Sequence, residues 1–187
     1  PERHAQELVD NLAATGAEEV ILVHDDCYGM LVDRVAQLNI TVPFQPVHIL
    51  EYLRDYLDAH SEDVTPLQLR VAYQRPCASR LSPAKEAAVD AIMERIGVER
   101  VKRQYDRENA LCCSGVMAVL QPEAAPALRA RNLDDAQTAG AEAMCYLCPV
   151  CRSTMAQDVQ ARGLGSFHII ELVRMALGEL PAPTRGK

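Results

Sequence analysis

Five cysteines, Cys77, Cys112, Cys113, Cys148 and Cys151, fall into a C-x34-CC-x34-C-x-x-C array. Thiolates bind zinc and iron–sulfur clusters, and Cys148-Pro149-Val150-Cys151 sets two of them one turn apart. Cys112 and Cys113 are adjacent. Neighbouring sulfurs converge on one small tetrahedral ion only with backbone strain, yet readily serve different atoms of a larger cluster. Five thiols from three distant segments therefore point to a polynuclear iron–sulfur centre ahead of a single zinc. Zinc needs only four ligands and no redox chemistry, so the alternative is a non-catalytic zinc-binding structural or scaffold module.

The elements that must position these thiols read as alternating helices and strands. Residues 2–15 are amphipathic through Leu8, Val9 and Leu12, and Gly16 stops that helix. An apolar run from Val20 to Val23 has strand length. Helix is expected over Met30–Leu38, a short extended stretch over Thr41–Phe44, and helix again over Val47–Ala59. Leu69–Tyr73 reads as a buried strand with Cys77 just past its carboxyl end. Pro83–Ile96 reads as a helix capped by Ser82. Helix over Glu123–Thr138, strand over Ala141–Tyr146, and helices over Val150–Arg162 and Ile169–Leu180 complete the pattern, and Pro181–Lys187 is expected to fray. Such alternation predicts an α/β fold with a mainly parallel sheet and helices on both faces. Ligands gather at the carboxyl ends of strands in such sheets, and Cys27, Cys77 and Cys148 all follow strands.

The chain also repeats itself. Residues 16–27 (GAEEVILVHDDC) align without gaps on 140–151 (GAEAMCYLCPVC), and 47–53 (VHILEYL) echoes 167–173 (FHIIELV). Each copy reads helix, strand, cysteine loop, helix, short strand, helix, which implies duplicated units. His24 takes the place of Cys148, and Cys27 that of Cys151. The expected organisation is the C-terminal part of a first, incomplete unit over 1–62, a complete unit over 63–180 and a tail over 181–187. On this expectation the first unit's remaining cysteines would lie before Pro1, and the chain starts part-way through such a unit. His24 and Cys27 are secondary metal-ligand candidates, with a structural role for His24 weighed ahead of ligation because two ligands make no site.

The array resembles the cysteine-rich CCG domain found in the B-type component of heterodisulfide reductase and its relatives, whose pattern is C, CC-G and C-P-x-C in that order. The matching contexts are Arg75-Pro76-Cys77, Leu111-Cys112-Cys113-Ser114-Gly115 and Leu147-Cys148-Pro149-Val150-Cys151. One departure is Ser114, which stands where the family has glycine. Serine tolerates positive φ poorly, so the loop is expected to be reshaped. The resemblance implies that the five cysteines hold a [4Fe–4S] cluster of non-cubane form. It also implies an electron-transfer or disulfide-reductase-like oxidoreductase subunit whose electrons come from a flavoprotein or another iron–sulfur subunit. A disulfide or thiol is the implied substrate, and hydrogen bonds from Ser114, Gly115 and nearby amides would tune the potential.

Composition narrows the rest. A formal net charge of −7 argues against nucleic-acid binding. No run reaches the ~18–20 apolar residues of a membrane span. Seven cysteines without a secretory signal favour reduced thiols, so the expected location is cytoplasmic, including the cytoplasmic side of a membrane-associated complex. There is no G-x-G-x-x-G or phosphate-cradling loop. Cys145 aligns with Ile21 inside a strand and reads as a buried thiol. His48 and His168 hold equivalent helix-start positions and read as packing or capping residues. Asp25 and Asp26 are expected to cap the helix after them, Tyr73-Gln74-Arg75 to end a strand beside the thiols or line a cleft, and the dense charge of Glu99–Glu108 to form a solvated face.

Overall fold

The computed structural model describes residues 2–81 and 83–183; the proposed Ser82 cap, Pro1 and residues 184–187 of the tail lie outside the described residues. The chain begins with helix α1 (Glu2–Ala13) and strand β1 (Glu19–Leu22). Next come α2 (Asp25–Gly29), a π-helical turn over Met30–Arg34 and the short α3 (Val35–Gln37). Strand β2 (Gln45–His48) and helix α4 (Ile49–Ala59) follow. The second part runs β3 (Leu69–Gln74), α5 (Lys85–Arg95), β4 (Val98–Arg100), α6 (Met117–Leu120), α7 (Ala125–Thr138), β5 (Ala143–Tyr146), α8 (Pro149–Ala161), β6 (Gly165–His168) and α9 (Ile169–Ala176).

Among the described residues the strands form two sheets, one of order β1-β2 and one of order β4-β3-β5-β6. Every pairing is parallel, with Val71 opposite Ala143 and Met144 opposite Ser166. The expected α/β architecture is what the chain adopts. Period-two alternation builds the larger sheet's two faces. Val71, Tyr73, Ala143 and Cys145 pack toward the apolar sides of α4, α5 and α9, through Leu53, Leu57, Ile92 and Leu172. Ala72, Met144 and Tyr146 face Leu133 and Ala136 of α7 and Met155 and Val159 of α8. The smaller sheet has its own core of Val9, Leu31, Val35 and Phe44. Among the described residues no helix is long and apolar enough to cross a membrane.

Two local expectations shift. The short extended stretch lies at Gln45–His48, not Thr41–Phe44, and the next helix starts at Ile49. Pro46 is tolerated in that strand because, among the described residues, β2 pairs with β1 alone. His48 then ends the strand and caps the helix: its side chain accepts from the Leu50 N–H while Glu51 accepts from the His48 N–H. His168 and Glu171 build the same capping box on α9. The duplicated sequence has thus kept one hydrogen-bond device at both strand-to-helix corners.

Between α5 and β4, Gly97 turns at φ +65°, and a Cβ there would lie 2.6 Å from Pro66 Cβ. A left-handed conformation costs a non-glycine residue about 1–2 kcal/mol, and overpacking adds roughly 1–3 kcal/mol. Gly97→Ala is therefore expected to lower unfolding free energy by about 2–5 kcal/mol in urea denaturation.

Candidate metal centre

Strand ends place three of the five array thiols. Cys77 opens a 3₁₀ segment, Cys77–Leu81, just beyond β3. Cys148 follows β5 and is the N-cap of α8, with Cys151 inside its first turn. Cys112 and Cys113 sit in an irregular segment between β4 and α6, and side chains hold that segment in place. Gln74 Nε2 donates to the Leu111 carbonyl at 2.9 Å, and Arg75 Nη1 to that of Arg107 at 2.9 Å. Arg80 Nη2 donates to the Ala110 carbonyl at 2.8 Å. Asn132 Nδ2, from α7, donates to Gln74 Oε1 at 2.6 Å and so fixes the amide's orientation. Residues flanking Cys77 thus carry the Cys112–Cys113 loop to it.

A second set of cations stiffens the same loop. Arg100 pairs with Asp106, Glu86 and Asp90, with its guanidinium N–H groups 2.5–3.1 Å from their oxygens. Burial works against its charge, but Asp106 and Glu86 outweigh it and hold the guanidinium above its usual value. Arg103 donates to Asn132 Oδ1 at 2.6 Å and to the Tyr73 carbonyl at 2.9 Å. The Glu99–Glu108 stretch is therefore not simply a solvated face: the Arg100 and Arg103 side chains are 6% and 1% exposed. Their partners come from α5, α7, β3 and the loop itself through Asp106. Tyr73 and Gln74 turn inward as buried struts, and Arg75, 9% exposed, also lines the narrow cleft beside Cys77.

The sulfurs form a chain of contacts. Cys77, exposed, and Cys112, half-buried, line one narrow cleft with Arg75, Pro76, Arg80, Ala110 and Leu111. Burial raises the Cys112 thiol, with the Ser114 N–H, 3.4 Å from its Sγ, opposing. The Cys151 S–H donates to Cys113 and, with the Gly115 N–H, overcomes burial to bring that thiol down to about 6. The Cys151 S–H also lowers Cys148 to about 5 against burial, helped by the Cys151 and Val150 amides and by His24. Cys151 is pushed up correspondingly, since it holds the proton its two neighbours share. Cys113, Cys148 and Cys151 back onto Tyr146 and Met155 in the apolar layer beneath α8. Among the described residues no three His, Cys, Asp or Glu side chains close around a point where one metal ion would sit.

Ser114 takes φ +71°, the left-handed region that favours glycine. Gly115 is needed for closeness: a Cβ there would lie 3.2 Å from both Thr154 Oγ1 and Val150 Cγ1. Cys145 is fully buried within β5, and burial raises its thiol to about 12. Cys27 is exposed on α2, whereas His24 Nε2 lies 3.3 Å from Cys148 Sγ and His24 Nδ1 3.4 Å from Asp26 Oδ2. The structure thus brings His24 to the array across 124 residues of chain. Only its alignment with Cys148 in the repeat hinted at this. Asp25 does not cap its helix: its buried carboxylate accepts from His48 Nε2 at 3.2 Å and from Ser79 Oγ at 2.8 Å. That carboxylate joins the smaller sheet to the turn behind Cys77.

Comparison with known proteins is consistent with this arrangement. The cysteine-rich domain family CCG matches residues 71–156, a stretch that includes all five array cysteines. Three curated relatives are each described as the D-type component of dihydromethanophenazine:CoB–CoM heterodisulfide reductase. The Methanosarcina barkeri protein is 27% identical over 182 residues, covering 93% of this chain and 44% of its own length. That of Methanosarcina mazei is 26% identical over 186 residues, covering 95% of this chain and 45% of its own length. Methanosarcina acetivorans has one that is 27% identical over 182 residues. The chain spans less than half the length of these relatives.

In metal-free protein kept anaerobic, ultraviolet thiolate absorbance should rise near pH 5 to 6 as Cys148 and Cys113 ionise. Cys151→Ala should move both transitions up toward the ordinary thiol range, because their shared proton donor is gone. Asp25→Ala should cost about 2–4 kcal/mol in denaturant unfolding, since two buried donors lose their acceptor.

Proposed function

We propose that Cys77, Cys112, Cys113, Cys148 and Cys151 hold a [4Fe–4S] cluster of non-cubane form, and that the chain is an electron-transfer and disulfide-reducing subunit of a larger redox complex. The observation that carries this reading is the run of interacting thiols Cys112, Cys113, Cys151 and Cys148, with Cys77 in the same cleft as Cys112, backed by apolar core and fixed by buried side chains. The donor set is chemically apt: soft thiols, two of them held as thiolates at neutral pH. When bound, such a cluster supplies single electrons and a metal face that can hold a sulfur during disulfide cleavage.

The chain's own residues supply the setting. The first turn of α8 aims the Val150 and Cys151 amides at the Cys148 sulfur, which favours its anionic form. His24 contacts the same sulfur and brings the smaller sheet to the cluster's wall. The exposed Cys77 side of the array is the side open to an incoming sulfur ligand. Likeness to the D-type component of heterodisulfide reductase supports membership of a redox assembly; the Cys-Cys and C-P-x-C contexts extend that likeness to the B-type component. A flavoprotein or second iron–sulfur protein is the partner that would deliver electrons. The five-cysteine motif supports a disulfide as the acceptor.

Protein purified without oxygen should contain about four iron and four acid-labile sulfide per chain with an EPR-active reduced or oxidised state. Cys112→Ser and Cys148→Ser should each lose most of the iron. About one zinc with neither iron nor sulfide would overturn the proposal.

A further inference from the structure

Ser114 combines two features that a glycine at the same place would avoid. Its backbone takes φ +71°, a conformation that L side chains adopt reluctantly. Its side chain is fully buried, and Oγ has no hydrogen-bond partner among the described residues. The rest of the residue is satisfied: the N–H faces Cys112 Sγ at 3.4 Å, and the carbonyl accepts from the Ala118 N–H at 2.8 Å. Only the hydroxyl is left over. It sits between Cys113 and Gly115, in a loop packed so closely on α8 that a single added Cβ at Gly115 would approach Val150 Cγ1 and Thr154 Oγ1 to 3.2 Å. A buried hydroxyl without an acceptor is unfavourable, and Cys112 and Cys113 immediately precede it in the chain.

We infer that the Ser114 hydroxyl is a built-in donor to a sulfur of the cluster held by Cys112 and Cys113, and that it raises the cluster's reduction potential. This rests on the cluster reading above. An O–H directed at sulfur stabilises the more negative, reduced state over the oxidised one, and hydrogen bonds to the sulfurs are among the factors that set such potentials. The residue is a positioning and tuning group and forms no bond to metal.

The test compares wild-type protein with Ser114→Gly and Ser114→Ala, each purified without oxygen. Iron and sulfide content are measured first. EPR-monitored redox titration then gives the midpoint, and proton hyperfine spectra in H₂O and D₂O reveal exchangeable protons near the cluster. Both variants should keep their iron, lose one exchangeable-proton coupling and reduce about tenfold less readily. That is a downward shift of about 59 mV for a one-electron couple. Cluster-free Ser114→Gly should also melt at a higher temperature than cluster-free wild type, since both unfavourable features vanish together. Ser114→Ala keeps the left-handed backbone and so separates hydroxyl from backbone effects. Iron-replete variants with wild-type midpoints and an unchanged set of couplings would overturn the Ser114 assignment while leaving the cluster in place. Wild-type protein without iron and sulfide would overturn the cluster reading and this inference with it.

Discussion

The thiol array depends on the hold that side chains next to Cys77 have over the backbone leading to Cys112. Gln74, Arg75 and Arg80 donate to the carbonyls of Leu111, Arg107 and Ala110. Those carbonyls belong to a segment outside both sheets, and these donors tie it to the end of β3. Arg75 and the neighbouring Arg100 are buried charges that must be neutralised, which explains the carboxylates converging from α5 and the loop: Glu86 on both, and Asp90 and Asp106 on Arg100. One requirement, bringing a cysteine pair 34 residues from its nearest partner on either side to a common place, accounts for most of the buried polar structure in this half of the chain.

Much of this was legible in the sequence. The apolar runs at Leu69–Tyr73 and Ala141–Tyr146, broken by helical periodicity between them, pointed to the parallel sheet, because both faces of its inner strands are covered. Strand-then-cysteine order located Cys77 and Cys148 at carboxyl ends. Less legible were the elements whose character is set by partners far away. Arg100 and Arg103 look like surface charge in a local window, and Glu86 of α5 and Asn132 of α7 are the partners that such a window does not show. Gln45–His48 reads poorly as a strand because Pro46 interrupts it, yet an edge position accommodates that proline. Ser114 at positive φ contradicts its own backbone preference, and a conflict of that kind is resolved by surroundings that no local pattern encodes.

The repeat shows how the same local device can serve different ends. At both corners a histidine caps a helix and a glutamate three residues on completes the box. The outward ring nitrogen then diverges. In His48 it meets the Asp25 carboxylate, while in His168 it meets the Leu147 carbonyl at 2.5 Å, one residue before Cys148. The second copy thus uses this nitrogen to steady the backbone of its own cysteine loop, and the first copy directs it to a carboxylate that also receives Ser79 from the larger sheet's side.

Helix α4 belongs by sequence to the first copy, yet Leu50, Leu53 and Leu57 lie in the same apolar cluster as Val71, Tyr73 and Leu172. The helix roofs one side of the larger sheet. A fragment excised at the 60–68 link would retain every array thiol and still leave a greasy flank of its sheet bare to water. Sequence repeat and physical autonomy part company here: a cut at that link would also take Asp25 from Ser79 and His24 from Cys148.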